Sequence, residues 1–229
     1  MQMYKHLNEY EQFAEPRLAF SFLIDTSGSM GSSAKNTPIQ FVNEFLNSIS
    51  NRFDDSQYAC IDFSVISFSH TAELVSEYKS IQDRLEIHLD AEGPTAMGEA
   101  INLSYDLLSR QLRDYREKGI RYFKPIIFML TDGGATDDMT LAFKKIEDGN
   151  HRMTRFVSAG VMGYDENLLS RLSSTSFFVD MDNADLTESL EWIFKWLINE
   201  ALDCRAQIYP QKSPTSYEVP LGVHFICDR

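Results

Sequence analysis

Short apolar runs alternate along this chain with longer segments in which apolar residues recur every three or four positions. The short runs predict five strands, at residues 17–25, 59–68, 125–132, 155–161 and 176–180. The run PIIFML at 125–130 has no polar alternation, which is typical of a strand covered on both faces by helices. A further run at 72–80 predicts an edge strand that a tight turn joins to the second strand.

The longer segments predict helices. One begins at Thr37, which together with Pro38 and Gln40 supplies an N-cap, a first-turn proline and a capping-box partner. Residues 96–119 and 185–202 carry the same helical spacing of apolar side chains. Each of these helices is therefore expected to bury one face against the predicted strands.

Alternating strands and helices predict an α/β fold. We expect a doubly wound, Rossmann-like, mostly parallel sheet with helices on both faces and one antiparallel edge strand. Sheets of this kind bind ligands beyond the carboxyl ends of their strands. The pattern assigns residues 17–203 to the domain, 1–16 to an N-terminal extension and 204–229 to a C-terminal tail. The apolar end of the tail predicts either docking on the domain or capture by a partner, and we favour docking.

Five oxygen-bearing side chains follow or adjoin these predicted strand ends. Asp25 and Asp132 each close a predicted strand. Ser27 and Ser29 follow Asp25 at alternate positions, so in an extended loop their side chains would point the same way. Thr95 follows a Gly-Pro turn at the start of a predicted helix. Because the carboxyl ends of parallel strands meet at one edge of the sheet, we expect the five side chains to converge there.

The donor atoms of these side chains predict a hard metal ion. All five are oxygen donors without Cys or His nearby, which favours Mg²⁺ or Mn²⁺ over zinc or copper. The hydroxyls of Ser27, Ser29 and Thr95 are neutral, so much of the charge of the dication would remain uncompensated. We therefore expect the metal to take a further anion, such as an Asp or Glu side chain of a protein partner.

The chain resembles the von Willebrand factor A (VWA) domain and its metal-ion-dependent adhesion site, MIDAS, in three segments. These are DTSGSM at 25–30, GPT at 93–95 and LTDG at 130–133. The resemblance covers about residues 17–200 and implies a domain that binds partners, so the protein is not expected to be an enzyme. It implies that the metal is held by Asp25, Ser27, Ser29, Thr95 and Asp132.

The segment YFKPIIFMLTDGGATDD at 122–138 further resembles the bacterial TerY-like branch, which is associated with tellurium resistance. It departs from that branch at Gly134 and Ala135, where acidic or proline residues are more usual. The branch implies partners in a stress or defence gene cluster, including protein kinase and phosphatase components.

Simpler interpretations exist for the same residues. Asp25, Ser27 and Ser29 are residue types that also cap their own backbone in turns. Thr95 alone would be an ordinary N-cap. Asp137 and Asp138 are more typical of first-turn helix acids than of metal ligands.

The sequence is also compatible with two other functions. The domain could be a passive scaffold whose metal is structural, or a Mg²⁺-dependent phosphohydrolase. Against hydrolysis, the loop after Asp25 lacks the second aspartate of a D-x-D signature, and no Walker lysine follows a glycine-rich loop. No G-x-S-x-G turn makes Ser27 or Ser29 a nucleophile.

Composition limits the classes of partner that the protein is expected to bind. The chain of 229 residues is 43% hydrophobic, which suffices for a sizeable core. A net charge of -13 disfavours nucleic acid, because phosphate contacts rely on an excess of Lys and Arg. No apolar run approaches the length of a membrane span, and the first residues do not resemble a secretory signal. We expect a cytoplasmic protein that binds neither nucleic acid nor membrane.

Overall fold

The computed structural model describes residues 15–31, 37–151, 153–203 and 219–228. The strands are β1 Leu18–Asp25, β2 Ile61–Phe68, β3 Ala72–Ser80, β4 Ile126–Thr131, β5 Arg155–Gly160, β6 Thr175–Val179 and β7 Val223–Asp228. The helices are α1 Pro38–Arg52, α2 Met97–Glu117, α3 Thr140–His151, α4 Glu166–Leu172 and α5 Leu186–Asp203. One sheet contains all seven of these strands, in the order β3-β2-β1-β4-β5-β6-β7.

The sheet confirms the predicted α/β class and adds one feature. Strands β2, β1, β4, β5 and β6 run parallel to their neighbours. Strand β3 is antiparallel to β2, as its sequence predicts, and β7 is antiparallel to β6. Both edges of the sheet are therefore antiparallel, whereas the sequence pattern indicated only one such edge.

Apolar side chains cover both faces of the sheet and form two cores. One face packs against α1 and α5, and the other packs against α2, α3 and α4. Every residue of β1 is buried, because β1 lies between β2 and β4 under helices on both sides. Phe194 of α5 lies at the centre of the first core, where its ring is 4.6 Å from the ring of Phe20 and 4.9 Å from that of Phe45.

Helix α1 begins as its sequence predicts. Thr37 and Gln40 form a capping box, and Pro38 occupies the first turn. Its buried side chains lie on one face, which the sequence spacing also indicates. This helix follows the loop that leaves β1, so its anchorage supports the segment that carries Asp25.

The described part of the C-terminal tail belongs to the sheet. Val223 pairs with Val179, and the ring of Phe225 lies 4.8 Å from Phe177 and 5.7 Å from Trp196. The apolar end of the tail thus docks on the domain. Residues 1–14 and 204–218 lie outside the described residues, so the N-terminal extension and the rest of the tail stay predictions. None of the helices in the described ranges is long and apolar enough to cross a membrane.

Candidate metal centre

The candidate site lies at the carboxyl edge of the sheet. Strands β1 and β4 are adjacent and parallel, with Ile24 opposite Leu130, so the end of each strand adjoins the end of the other. Asp25 is the last residue of β1, and Asp132 directly follows β4. Parallel pairing therefore brings together two carboxylates that are more than a hundred positions apart in the chain.

Both carboxylate oxygens of Asp25 are held by hydrogen bonds. The backbone N–H of Ser27 donates to Oδ1 at 2.8 Å, which is the local turn that the simpler interpretation expects. The hydroxyl of Thr131 donates to Oδ2 at 2.5 Å from the neighbouring strand. Asp25 and Thr131 are fully buried, so this carboxylate has one fixed orientation.

A chain of hydroxyls links the first loop to Asp132. The hydroxyl oxygens of Ser27 and Ser29 are 3.1 Å apart, and Ser29 Oγ donates to Asp132 Oδ1 at 2.7 Å. The loop is not extended as the sequence analysis supposed, because Gly28–Gly31 forms a 3-10 turn. This turn still places Ser27 and Ser29 side by side, and Ser29 is exposed, so the site opens to solvent.

Thr95 is held between the other two loops by its backbone. Its N–H donates to the hydroxyl of Thr136 at 3.0 Å, and its carbonyl accepts from the N–H of Thr136 at 3.0 Å. The Gly28 N–H donates to the carbonyl of Gly93 at 3.0 Å, which joins this loop to the turn after Asp25. Gly93 has a φ of 77°, and a Cβ there would lie 2.4 Å from the ring of His70.

The hydroxyl of Thr95 is not used to cap α2. The N-cap position is Ala96, and the N–H groups of Gly98 and Glu99 donate to the carboxylate of Asp137 at 3.0 and 2.9 Å. Asp138 accepts from the N–H of Thr140 at the start of α3. Neither acid lies in the first turn of α3, so the expectation of first-turn acids is wrong. Asp137 instead caps α2, and Asp138 accepts from Thr140 ahead of α3.

Two carboxylates lie in a poorly hydrated site. Burial raises the pKa of Asp25, while hydrogen bonds from Ser27 and Thr131 oppose this increase. Burial also raises the pKa of Asp132 to about 6, against the Ser29 hydrogen bond and with a smaller contribution from the charge of Asp25. In the absence of a cation, negative charge at this site is unfavourable, and a nearby dication would reverse that preference.

The donor set fits a divalent cation that prefers oxygen ligands. The two carboxylates and the hydroxyls of Ser27 and Ser29 come together at the ends of β1 and β4. The loop that carries Thr95 is bonded to the same turn through Gly93, and the hydroxyl of Thr95 has no hydrogen-bond partner among residues 15–31, 37–151, 153–203 and 219–228. Within those ranges no group of three or more His, Cys, Asp and Glu side chains is placed to hold a metal. A metal at this site would therefore depend on neutral hydroxyls as well as on Asp25 and Asp132.

Sequence comparison identifies the class of the domain. The profile of the von Willebrand factor type A domain matches residues 21–193, which is most of the chain, and the protein belongs to this family. Domains of the family are commonly metal-dependent protein-interaction modules and typically not enzymes. No curated protein sequence matches the chain at a significant level.

Solved structures support the same fold. Proximal thread matrix protein 1 from the mussel byssus, in a form with a zinc-occupied MIDAS motif, has 17% identity and a TM-score of 0.57, and the match covers 81% of this chain and 46% of that protein. The von Willebrand factor type A protein from Catenulispora acidiphila has 13% identity, a TM-score of 0.57, and coverage of 82% and 43%.

The PilB minor pilin from Streptococcus sanguinis has 14% identity, a TM-score of 0.57, and coverage of 87% and 64%. This chain therefore spans less than two thirds of each of these three proteins. At such low identity the likeness establishes the fold alone.

Two residues that shape the site are not predicted from the sequence, and a third has another role than predicted. Thr131 orients Asp25, and Thr136 holds the backbone of Thr95. Asp137 caps the helix that follows Thr95, whereas its position in the sequence indicated a first-turn acid of the next helix. Thr131 carried a weak signal, since a polar residue interrupts the apolar run of β4 immediately before its terminal acid. The contacts of Thr136 and Asp137 depend on loop geometry that no spacing rule describes.

Proposed function

We propose that this protein is a metal-dependent protein-interaction module. A divalent cation, Mg²⁺ or Mn²⁺, would be held by Asp25, Ser27, Ser29, Thr95 and Asp132. An Asp or Glu side chain from a protein partner would complete its coordination. The observation that carries the proposal is the continuous link from Ser27 through Ser29 to Asp132, at 3.1 and 2.7 Å.

The neutral hydroxyls account for the need for a partner. Three of the five donors contribute no formal charge, and Oδ2 of Asp25 already accepts from Thr131. The cation would therefore attract one further carboxylate, and in a partly buried setting such an attraction is stronger than in bulk water. Ser29 is exposed, which leaves one side of the site accessible to that carboxylate.

The surroundings of the site make the proposed interaction metal-dependent. Glu92, Asp138 and Asp165 are exposed on the loops around it. These acids would repel the carboxylate of a partner from the metal-free protein, in the same way that like charges weaken other interfaces. The cation is thus expected to switch the net interaction from repulsive to attractive.

The direct test is calorimetric titration of the full chain with MgCl₂ and MnCl₂. We expect saturable binding that Asp25→Asn and Ser29→Ala each weaken at least tenfold, because each removes a donor or its charge. Ser76→Ala, on the edge strand β3, is the matched control and should bind like the wild type. Titration with ZnCl₂ compares a softer ion, and tighter zinc binding with no Mg²⁺ signal would overturn the choice of metal.

Peptide selection tests the partner. A displayed random peptide library would be bound to the full chain in Mg²⁺ and eluted with EDTA. We expect the eluted sequences to share an Asp or Glu, and their binding to be lost in Asp25→Asn. Binding that survives both EDTA and Asp25→Asn would overturn the proposal and favour the passive scaffold. Metal-dependent hydrolysis of a phosphoester by the wild type, abolished in Asp132→Ala, would instead establish an enzyme.

The biological setting is part of the same proposal. The resemblance of residues 122–138 to the TerY-like branch supports a role in a cytoplasmic bacterial stress or defence system, with kinase or phosphatase components as partners. Loss of tellurite tolerance after deletion of the gene, restored by the wild type and not by Asp25→Asn, is the expected result. Full restoration by the variant would separate that role from the metal site.

A further inference from the structure

A groove lies between α2 and α3 at the opposite end of the sheet from the candidate metal centre. Its cavity volume is about 670 Å³. The residues that form it come from α2 at positions 105–116, from α3 at positions 145–149, and from the segments that enter β4 and β5. Both helices start at the carboxyl edge of the sheet, so their ends lie at the amino edge. The groove is therefore separate from the loops around Asp25 and Asp132.

The floor of the groove is mainly apolar, apart from the hydroxyl of Tyr105, which is buried without a hydrogen-bond partner in the described part of the chain. Leu108 and Tyr105 are buried in it, and Tyr122 is 37% exposed at its edge. Gly149 of α3 packs closely against the ring of Tyr105, since a Cβ there would lie 2.5 Å from the ring. A floor of this kind fits an aliphatic or aromatic side chain of a ligand.

The rim of the groove is basic in a strongly acidic protein. Residues 109–125 contain six Lys or Arg and two Asp or Glu, whereas the whole chain contains 21 basic and 34 acidic residues. Arg113 and Arg116 are exposed side chains on this rim. Neither of them forms an ion pair with a carboxylate in the described part of the chain.

The acids that face the groove do not cancel this charge. Asp106 is paired with Lys145, whose Nζ lies 2.6 Å from Asp106 Oδ1. Asp148 on α3 is the other carboxylate that lines the cavity. Two arginines without carboxylate partners therefore face one acid, and the local preference is for an anionic ligand with an apolar part.

We propose that this groove is a second binding surface, which takes an acidic peptide segment of a partner protein without any metal. Asp or Glu side chains of the segment pair with Arg113 and Arg116, and one of its apolar side chains packs on Leu108 and Tyr105. A peptide segment fits a groove between two helices, and its carboxylates complement the two arginines. The surface is additional to the proposed metal-dependent function, and the protein could hold two partners at opposite ends of its sheet.

The test is selection of a displayed random 12-residue peptide library on the full chain in EDTA throughout. We expect enriched sequences that combine Asp or Glu with an aromatic or aliphatic residue. Dissociation constants of the enriched peptides are then measured by fluorescence anisotropy. The double variant Arg113→Glu/Arg116→Glu should weaken binding roughly tenfold or more, because it replaces two attractive pairs with repulsive ones.

A matched double charge reversal separates local pairing from net charge. Lys79→Glu/Arg84→Glu changes the net charge equally, and neither of these residues lines the groove. We expect this variant to bind the peptides like the wild type. Circular dichroism of both variants establishes that each is folded. Since EDTA is present throughout, a failure here leaves the proposed metal function untouched.

Four results would overturn the proposal. These are enrichment of sequences without acidic residues, equal binding by the two double variants, and enrichment of sequences that match a segment of this chain, which would assign the groove to the protein itself. The fourth is tight binding of a labelled single-stranded oligonucleotide that Arg113→Glu/Arg116→Glu abolishes. That result would assign the basic rim to nucleic acid.

Discussion

The hydroxyl of Thr131 donates a hydrogen bond of 2.5 Å to Oδ2 of Asp25, across the parallel pair of β1 and β4. Both residues are fully buried, so water does not compete for this bond. The bond fixes the orientation of the Asp25 carboxylate and occupies one lone pair of its Oδ2. Thr131 therefore acts as a positioning residue for the candidate metal centre.

Replacing Thr131 with Val should weaken metal binding. The change keeps the shape of the side chain and removes the donor, and loss of such a positioning group typically costs roughly 10–100-fold in metal affinity. Calorimetric titration with MgCl₂ measures the change directly. Thr131→Ser retains a hydroxyl and should bind nearly as the wild type does.

Thr175→Val provides the control for Thr131→Val, because Thr175 is a buried threonine on β6, away from the site. The Thr131 hydroxyl also accepts from the N–H of Gly133, so unfolding in urea is measured in parallel. Unchanged metal affinity in a folded Thr131→Val protein would show that Asp25 is positioned without this bond.

Replacing Asp132 with Asn should remove most of the stabilisation that Mg²⁺ gives to the folded protein, without destabilising the metal-free protein. Burial makes the Asp132 carboxylate unfavourable without a cation, so the metal-free variant should melt no lower than the wild type. Mg²⁺ at about 100 times its dissociation constant should stabilise the wild type by about 2.7 kcal/mol and the variant far less. Differential scanning calorimetry with and without Mg²⁺ measures both effects. An equal shift in the two proteins would exclude Asp132 as a ligand.

Much of the fold follows from local patterns. The sequence directly predicts strands β1 and β4 from their apolar runs and the start of α1 from the capping box at Thr37, because burial and capping act over a few residues. Asp25 and Asp132 could also be placed at one edge, since parallel strands end together. These features depend on side-chain type and period, which the sequence displays.

Other features depend on contacts between distant segments. The bond between Thr131 and Asp25 spans 106 positions, and Asp137 caps α2 from 39 positions away. Strand β7 pairs with β6, although α5 and residues 204–218 lie between the two strands in the sequence. The apolar end of the tail indicates docking, but the partner strand, its register and the loop contacts leave no local signature in the chain.

Glu191 should make stability depend on pH. Its partial burial would raise its pKa, but hydrogen bonds from Lys195 and Arg52 outweigh this and lower the pKa below the usual 4.5. A lowered carboxyl pKa contributes stability that is complete above the unfolded value and is lost as the pH falls through the folded value. We therefore expect the difference in unfolding free energy between wild type and Glu191→Gln to shrink from about pH 5 to about pH 3.

Urea unfolding at several pH values measures this difference. Glu188→Gln, at an exposed position on the same helix, is the control and should differ from the wild type by a constant amount. Added salt should reduce the Glu191 effect, because partly exposed charges are screened. A difference for Glu191→Gln that stays constant with pH would mean that the contacts to Arg52 and Lys195 do not stabilise the folded state.

Asp62 joins three elements near the amino edge of the sheet. Arg17, just before β1, binds both of its carboxylate oxygens, and the phenolic hydroxyl of Tyr115 on α2 donates to one of them. The side chain of Asp62 on β2 is only 14% exposed. Asp62 is thus a shared acceptor whose loss leaves a partly buried guanidinium and a buried hydroxyl without this partner.

Replacing Asp62 with Ala should therefore destabilise the protein by about 3 kcal/mol, since breaking a buried pair leaves one charge uncompensated. The exposed pair of Arg84 and Glu86, at 3.4 Å, gives the contrast, and Glu86→Ala should change stability by no more than about 1 kcal/mol. Urea unfolding at neutral pH measures both variants. Equal losses would show that burial does not strengthen the contact of Asp62 with Arg17. A larger loss for Asp62→Ala, only partly reproduced by Tyr115→Phe, would assign most of the stabilisation to the guanidinium and the remainder to the hydroxyl.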